Sequence, residues 1–130
     1  MNKEGNAPLI LIVEDNKMHI RLMCDLLHAY GMRVIVCNNP WNTISFIQKN
    51  KPDLILMDIS LQEMNGLELT QIIKKTPSIA SIPVVALTAH ATKRDQENAR
   101  SAGCTGFITK PINTRVFPRE IAGLINNHTP

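Results

Sequence analysis

The sequence predicts an α/β fold in which five short parallel strands alternate with five helices. Three observations point to it. Short apolar or β-branched runs recur along the chain at Leu9–Val13, Arg33–Cys37, Leu54–Met57, Val84–Leu87 and Thr105–Thr109. Runs of this length suit strands buried in a parallel sheet. Between them, apolar residues repeat at helical spacing. Finally, four runs end on reactive polar residues: Glu14-Asp15, Asp58, Thr88, and Lys110 followed by Pro111.

The elements follow in order. After the first strand, Ile20, Met23, Cys24 and Leu27 mark the buried stripe of a helix from Asn16 to Tyr30, and Gly31 suits the position that ends it. The second strand is Arg33–Cys37. Asn39 is placed to cap the next helix with Pro40 at its first position, and Trp41, Ile44 and Ile47 form its inward face. Pro52 stops that helix before the third strand. A polar loop, Ser60–Asn65, closes at Gly66 and leads to a third helix marked by Leu69, Ile72 and Ile73 and ended by Pro77. Pro83 precedes the fourth strand. Thr92 and Asp95 can cap a fourth helix to Ala102, whose apolar face is thin (Ala99 and Ala102), and Gly103 ends it. After the fifth strand, Thr114 can cap a last helix with Phe117, Ile121, Leu124 and Ile125 inward. Pro118 falls in its first turn, where a missing N–H costs least, and Gly123 weakens it slightly.

A regular (βα)₅ alternation implies a parallel sheet with helices on both faces, a three-layer sandwich. The common five-strand order is the flavodoxin-like 2-1-3-4-5, which makes the first and third strands neighbours at the switch point, where such sheets bind ligands at their carboxyl edge. Glu14, Asp15 and Asp58 are then expected together. The 130 residues form one domain, 1–130, with loose ends at 1–7 and 127–130. Nothing approaches the roughly 20 apolar residues of a membrane span, and the polar N-terminus does not read as a signal peptide, so a cytoplasmic protein is expected. Cys24, Cys37 and Cys104 lie too far apart for a zinc motif and read as small core hydrophobes. A net charge of +3 without a basic cluster argues against nucleic-acid binding.

Carboxylates crowded at one edge repel unless a hard cation joins them, and Mg²⁺ takes one or two carboxylates while keeping several waters. Asp15, Asp58 and the Ser60 carbonyl can supply oxygens, with Glu14 holding a coordinated water. Lys110 can pair first with Asp58 and then with a phosphoryl oxygen, and Thr88 offers a hydroxyl to the same oxygens. The set favours phosphoryl transfer onto Asp58, an already ionised nucleophile. A flavin-binding flavodoxin would place a hydroxyl- and glycine-rich loop where Glu14-Asp15-Asn16 stands. A haloacid-dehalogenase-type phosphatase would carry a second Asp where Ser60 stands. A purely structural binding domain would not require these polar residues at one edge.

From about Leu9 to Asn126 the chain resembles the receiver domain of two-component response regulators. The matching pieces are Leu11–Asn16, Pro52–Ile59, Met64-Asn65-Gly66, Pro83–Ala89 and Lys110-Pro111. The resemblance implies that Asp58 is the phosphoacceptor. It implies a metal site of Glu14, Asp15, Asp58 and the Ser60 carbonyl, holding Mg²⁺ with Mn²⁺ as an alternative. It makes Thr88 and Lys110 the phosphate-sensing pair, Ala89 a backbone N–H donor to the phosphoryl group, and Phe107 the aromatic that swings with Thr88. It also implies a cis Lys110–Pro111 bond. Gly66-Leu67-Glu68, Ile82–Ala86, Gly103-Cys104 and Lys110-Pro111-Ile112 look most like the stand-alone, DivK-like regulators. Gln62 departs from the family's usual proline and is expected to loosen the loop after Asp58. Ser60 and His90 occupy variable positions expected to tune hydrolysis.

The resemblance implies a phosphoacceptor signalling domain rather than a turnover enzyme, with Mg²⁺-dependent self-phosphorylation and slow autodephosphorylation. Its expected partners are a sensor histidine kinase or histidine phosphotransferase and a downstream effector protein. No nucleic acid or membrane insertion is expected, and the protein would be a monomer or weak dimer. No output domain is read, so output would pass through the face formed by the fourth helix, fifth strand and last helix. A receiver-like binding module that is not phosphorylated, or a receiver segment of a hybrid kinase, are the alternative readings.

Overall fold

The computed structural model describes residues 7–61 and 64–128; Gln62 lies outside them. Five strands, β1 (Leu9–Val13), β2 (Arg33–Cys37), β3 (Leu54–Asp58), β4 (Val84–Thr88) and β5 (Gly106–Thr109), form one sheet in the order β2-β1-β3-β4-β5. All four pairings are parallel. The helices are α1 (Lys17–Ala29), α2 (Thr43–Asn50), α3 (Gly66–Lys74), α4 (Lys93–Ala102) and α5 (Phe117–His128). The (βα)₅ reading and its strand order are therefore what the chain forms.

β1, β3 and β4 are the inner strands and bury almost every side chain, so they lack the polar alternation of a half-exposed strand. The pleat divides their residues between two cores. Leu11, Val13, Ile55, Met57, Val84 and Ala86 face α2, α3 and α4. Ile10, Ile12, Leu54, Leu56, Val85 and Leu87 face α1 and α5, with Phe117 the largest fully buried side chain. Cys37 and Cys104 are buried and Cys24 is half-buried, all three as free thiols.

Local chemistry sets the helix ends. Asn16 caps α1 by accepting the His19 N–H at 3.0 Å. Thr92 caps α4, accepting the Asp95 N–H at 3.0 Å and donating its hydroxyl to Asp95 at 2.7 Å. Gly103 ends α4 in the left-handed region at φ +110°, and a Cβ there would also meet Lys74 Cγ at 2.7 Å. Gly31 turns the chain after α1 at φ +90°.

β3 and β4 run one residue beyond the expected strands, to Asp58 and Thr88, and α5 extends to His128, into the end expected to be loose; four further details differ from the sequence expectation. The segment capped by Asn39 opens as a 3₁₀ turn, Pro40–Asn42, before α2. Its tighter winding carries Trp41 outward, 66% exposed, instead of onto the inner face. In α3 the buried stripe is Gly66, Leu69, Thr70 and Ile73, and Ile72 is exposed. Thr70 is accommodated because its hydroxyl donates to the Gly66 carbonyl at 2.9 Å. β5 begins at Gly106 rather than Thr105. Finally, α5 begins at Phe117 rather than after a Thr114 cap. Asn113 organises the approach instead, its side chain accepting the Arg115 N–H and its carbonyl those of Val116 and Phe117.

Candidate functional site

Strand register assembles the site. Val13 pairs with Met57, so the next residues, Glu14 just past β1 and Asp58 at the last position of β3, stand side by side. Asp58 pairs with Leu87, and Thr88 with Thr109. Two further bonds carry the alignment past the strands: the Ile59 N–H donates to the Leu87 carbonyl at 3.1 Å, and the Lys110 N–H to the Thr88 carbonyl at 2.7 Å. Residues 44 positions apart in sequence (Glu14 and Asp58) and 52 apart (Asp58 and Lys110) thereby meet at one sheet edge.

Glu14, Asp15 and Asp58 each offer a carboxylate oxygen, and these oxygens lie within 4.8 Å of one another. Glu14 and Asp58 are buried, whereas Asp15 is exposed at the rim. Lys110 Nζ donates to Glu14 Oε1 at 3.0 Å and sits 3.7 Å from Asp58 Oδ2. It also lies 3.1 Å from His19 Nδ1. Asp58 Oδ1 accepts the Ser60 N–H at 2.9 Å. Thr88 Oγ1 accepts the His90 N–H at 3.1 Å. Phe107 is half-buried and packs against the core on the α3 and α4 side. Ala89 and His90 are exposed on the loop after β4. The Lys110–Pro111 peptide bond is cis.

Burial pushes the Glu14 carboxyl above the ordinary glutamate range. The Lys110 ammonium opposes this, and the neighbouring Asp58 carboxylate adds to it. The folded protein therefore holds this proton more tightly than the unfolded chain. The sign follows from linkage: wild-type stability should fall, relative to Glu14→Gln, as pH rises from the ordinary glutamate range through the raised folded value. Urea unfolding of the two metal-free proteins across that range measures it. A wild-type protein that gains on Glu14→Gln over the same window would contradict it.

The donor set fits a hard divalent cation. With all three carboxylates ionised, negative charge at the site exceeds the single positive charge of Lys110, and a buried carboxylate gains from such a partner. Every side chain singled out at the four strand ends is at this edge. Two residues contribute that were not read from sequence as part of the site. One is His19, whose place in the first turn of α1, five residues after Glu14, could have flagged it. The other is Gly66, which lies under the backbone of Asp58 and Ile59.

Comparison with known proteins bears on the family and the fold. Residues 10–122 match the family model described as the response regulator receiver domain. The chain is 39% identical over 118 residues to the polar-differentiation response regulator DivK of Brucella anthropi, covering 91% of this chain and 96% of that one. It is similar in structure, with a TM-score of 0.83 and 28% identity, to the receiver domain of a Pseudomonas aeruginosa sensor histidine kinase whose structure has a magnesium ion coordinated in the active-site cleft. That match covers 92% of this chain and 98% of the other. The chemotaxis protein CheY4 of Vibrio cholerae shares the fold, with a TM-score of 0.84, 19% identity and coverage of 91% and 98%.

Proposed function

The chain belongs to the response regulator receiver family, and on that premise we propose that it accepts a phosphoryl group on Asp58 from the phosphohistidine of a kinase or phosphotransferase. The observation that carries this reading is the placement of Asp58: a buried carboxylate at the switch point, within 4.8 Å of two further carboxylates and 3.7 Å from the Lys110 ammonium.

The step balances simply. An Asp58 oxygen attacks phosphorus, the P–N bond of the donor breaks, and the imidazole leaves with the electron pair. A bound Mg²⁺, held by Glu14, Asp15, Asp58 and the Ser60 carbonyl, would supply charge neutralisation for nucleophile and phosphoryl group alike. Lys110 donates to a phosphoryl oxygen and so takes up charge that develops in transfer. Thr88 exchanges its bond with the His90 N–H for a bond to another phosphoryl oxygen, and the Ala89 N–H donates to the same group. As Thr88 moves inward it vacates space that half-buried Phe107 can enter. Phosphorylation is then a population shift between two arrangements of Thr88, Phe107 and α4, read by an effector at the face of α4, β5 and α5. Slow autodephosphorylation resets it.

The thin apolar contact of α4, limited to Ala99 and Ala102 among its buried residues, suits an element that shifts at low cost. Among the described residues no helix is long and apolar enough to cross a membrane. With a small acyl-phosphate donor and Mg²⁺, intact-mass spectrometry should show a single added phosphoryl group, and none when the metal is chelated. A protein that stays unlabelled with Mg²⁺ present is instead a receiver-like binding module.

A further inference from the structure

We propose that His19 is a positioning residue that holds Lys110 in its resting place and so sets how readily the site accepts a phosphoryl group. The inference rests on the phosphoacceptor reading but concerns a residue outside the set that defines it. His19 stands in the first turn of α1, fixed there by the bond from its own N–H to Asn16 Oδ1 at 3.0 Å. Its Nδ1 lies 3.1 Å from Lys110 Nζ and 3.7 Å from Glu14 Oε2. An ammonium can only donate, so Nδ1 is the acceptor and the ring proton sits on Nε2. The side chain, 43% exposed, borders a cleft of about 110 Å³ with Leu22, Pro111 and Ile112 on the outer side of Lys110.

Among the described residues the ammonium thus has two partners at hydrogen-bond distance, Glu14 and His19, while Asp58 Oδ2 at 3.7 Å lies beyond it. Thr88 is held in the same manner, by the His90 N–H. Both side chains proposed to read the phosphoryl group therefore rest on other partners. Glu14 belongs to the site itself, but His19 stands on its α1 side. A phosphoryl oxygen at Asp58 must draw the ammonium toward β3, and His19 competes for it. The ligand shifts the equilibrium only by its differential affinity for the two arrangements, and the His19 bond favours the resting one.

The test uses beryllofluoride with saturating Mg²⁺ as the phosphoryl probe, followed by ¹⁹F NMR. His19→Leu removes the acceptor but keeps bulk, and His19→Ala removes it without adding apolar volume. His19→Asn retains an acceptor where Nδ1 stands. Half-saturation should fall about three- to tenfold in the Leu and Ala variants, the scale of one partly exposed charged hydrogen bond. It should stay near wild type in His19→Asn, and Mg²⁺ affinity alone should change less than about twofold in all three, because the one carboxylate of the metal site beside His19, Glu14, lies 3.7 Å from Nδ1, beyond hydrogen-bond distance. In the free wild-type protein, ring ¹⁵N shifts should report the Nε2–H tautomer. Unchanged or weaker probe binding in the Leu and Ala variants overturns the proposal, as does an Asn variant that shifts as far as they do. A wild-type protein that binds no beryllofluoride with Mg²⁺ overturns the phosphoacceptor reading itself, and this proposal with it.

Discussion

Replacing Asp58 by asparagine should reduce phosphoryl labelling to background while leaving the protein folded. The exchange keeps the shape of the side chain and the oxygen that accepts the Ser60 N–H at 2.9 Å. It removes the anionic oxygen that would attack phosphorus, and a neutral carboxamide is a far poorer nucleophile. It also removes one of three carboxylates crowded within 4.8 Å, so the metal-free protein should be as stable as wild type or slightly more so, within about 1 kcal/mol. Mg²⁺ should bind more weakly, because one anionic ligand is gone. Unfolding curves and intact-mass spectra of the same samples separate these effects. Neither Glu14, buried and bonded to Lys110, nor Asp15 at the rim is placed as Asp58 is between β1 and β4. A single label persisting in Asp58→Asn would therefore overturn the assignment.

The strands and the site were legible for the same reason. A central strand of a parallel sheet needs apolar residues on both faces, so its end is marked by the first polar residue. In this fold that end is where the chemistry gathers. Glu14, Asp58, Thr88 and Lys110 could thus be read from the punctuation of four runs, and the 2-1-3-4-5 order brought them together. What escaped depends on local winding or on packing between distant backbones. Trp41 counts as inward on an α-helical wheel and turns outward because its segment is 3₁₀. Ile72 and Ile73 are adjacent on α3, and Ile72 falls outside the buried stripe that Ile73 joins. The choice of Ile73 is shared with Leu69 and Thr70, and a buried threonine is invisible to a count of apolar residues. Thr114 and Asn113 are both good capping residues, and only the backbone path selects Asn113. His19 lies five residues after Glu14, which hints that it borders the site, but the helix pattern does not show that Lys110 arrives beside it.

Gly66→Ala should destabilise the protein by about 2 kcal/mol and slow phosphoryl labelling, although the same change at Gly123 should stabilise it slightly. Two effects oppose each other at both positions. Alanine restrains the unfolded chain and favours helix by roughly 0.5–1 kcal/mol. Neither glycine needs a left-handed backbone, so that gain is available at each. At Gly123 in α5 an added Cβ meets nothing within 4 Å, and the gain stands. At Gly66 the Cβ would run into the Asp58 carbonyl oxygen and come within 2.7 Å of Ile59 Cα. These are backbone atoms of the segment that presents Asp58, and they cannot rotate away as a side-chain tip can. Overpacking costs about 1–3 kcal/mol, and two close contacts with backbone atoms put this one at the upper end, so the steric term wins by about 2 kcal/mol. Relief requires α3 to move away from β3 or the Asp58–Ile59 backbone to shift, and either loosens the bond from the Gly66 N–H to the Ile59 carbonyl, already 3.4 Å long. Displacing Asp58 from the line between donor and metal should cost labelling rate about tenfold or more, because transfer depends on alignment. Thermal unfolding should show Tm lower by about 6–10 °C for a domain of this size. A Gly66→Ala protein with wild-type Tm and labelling rate would mean that the close approach of α3 to β3 is not what holds Asp58 in place.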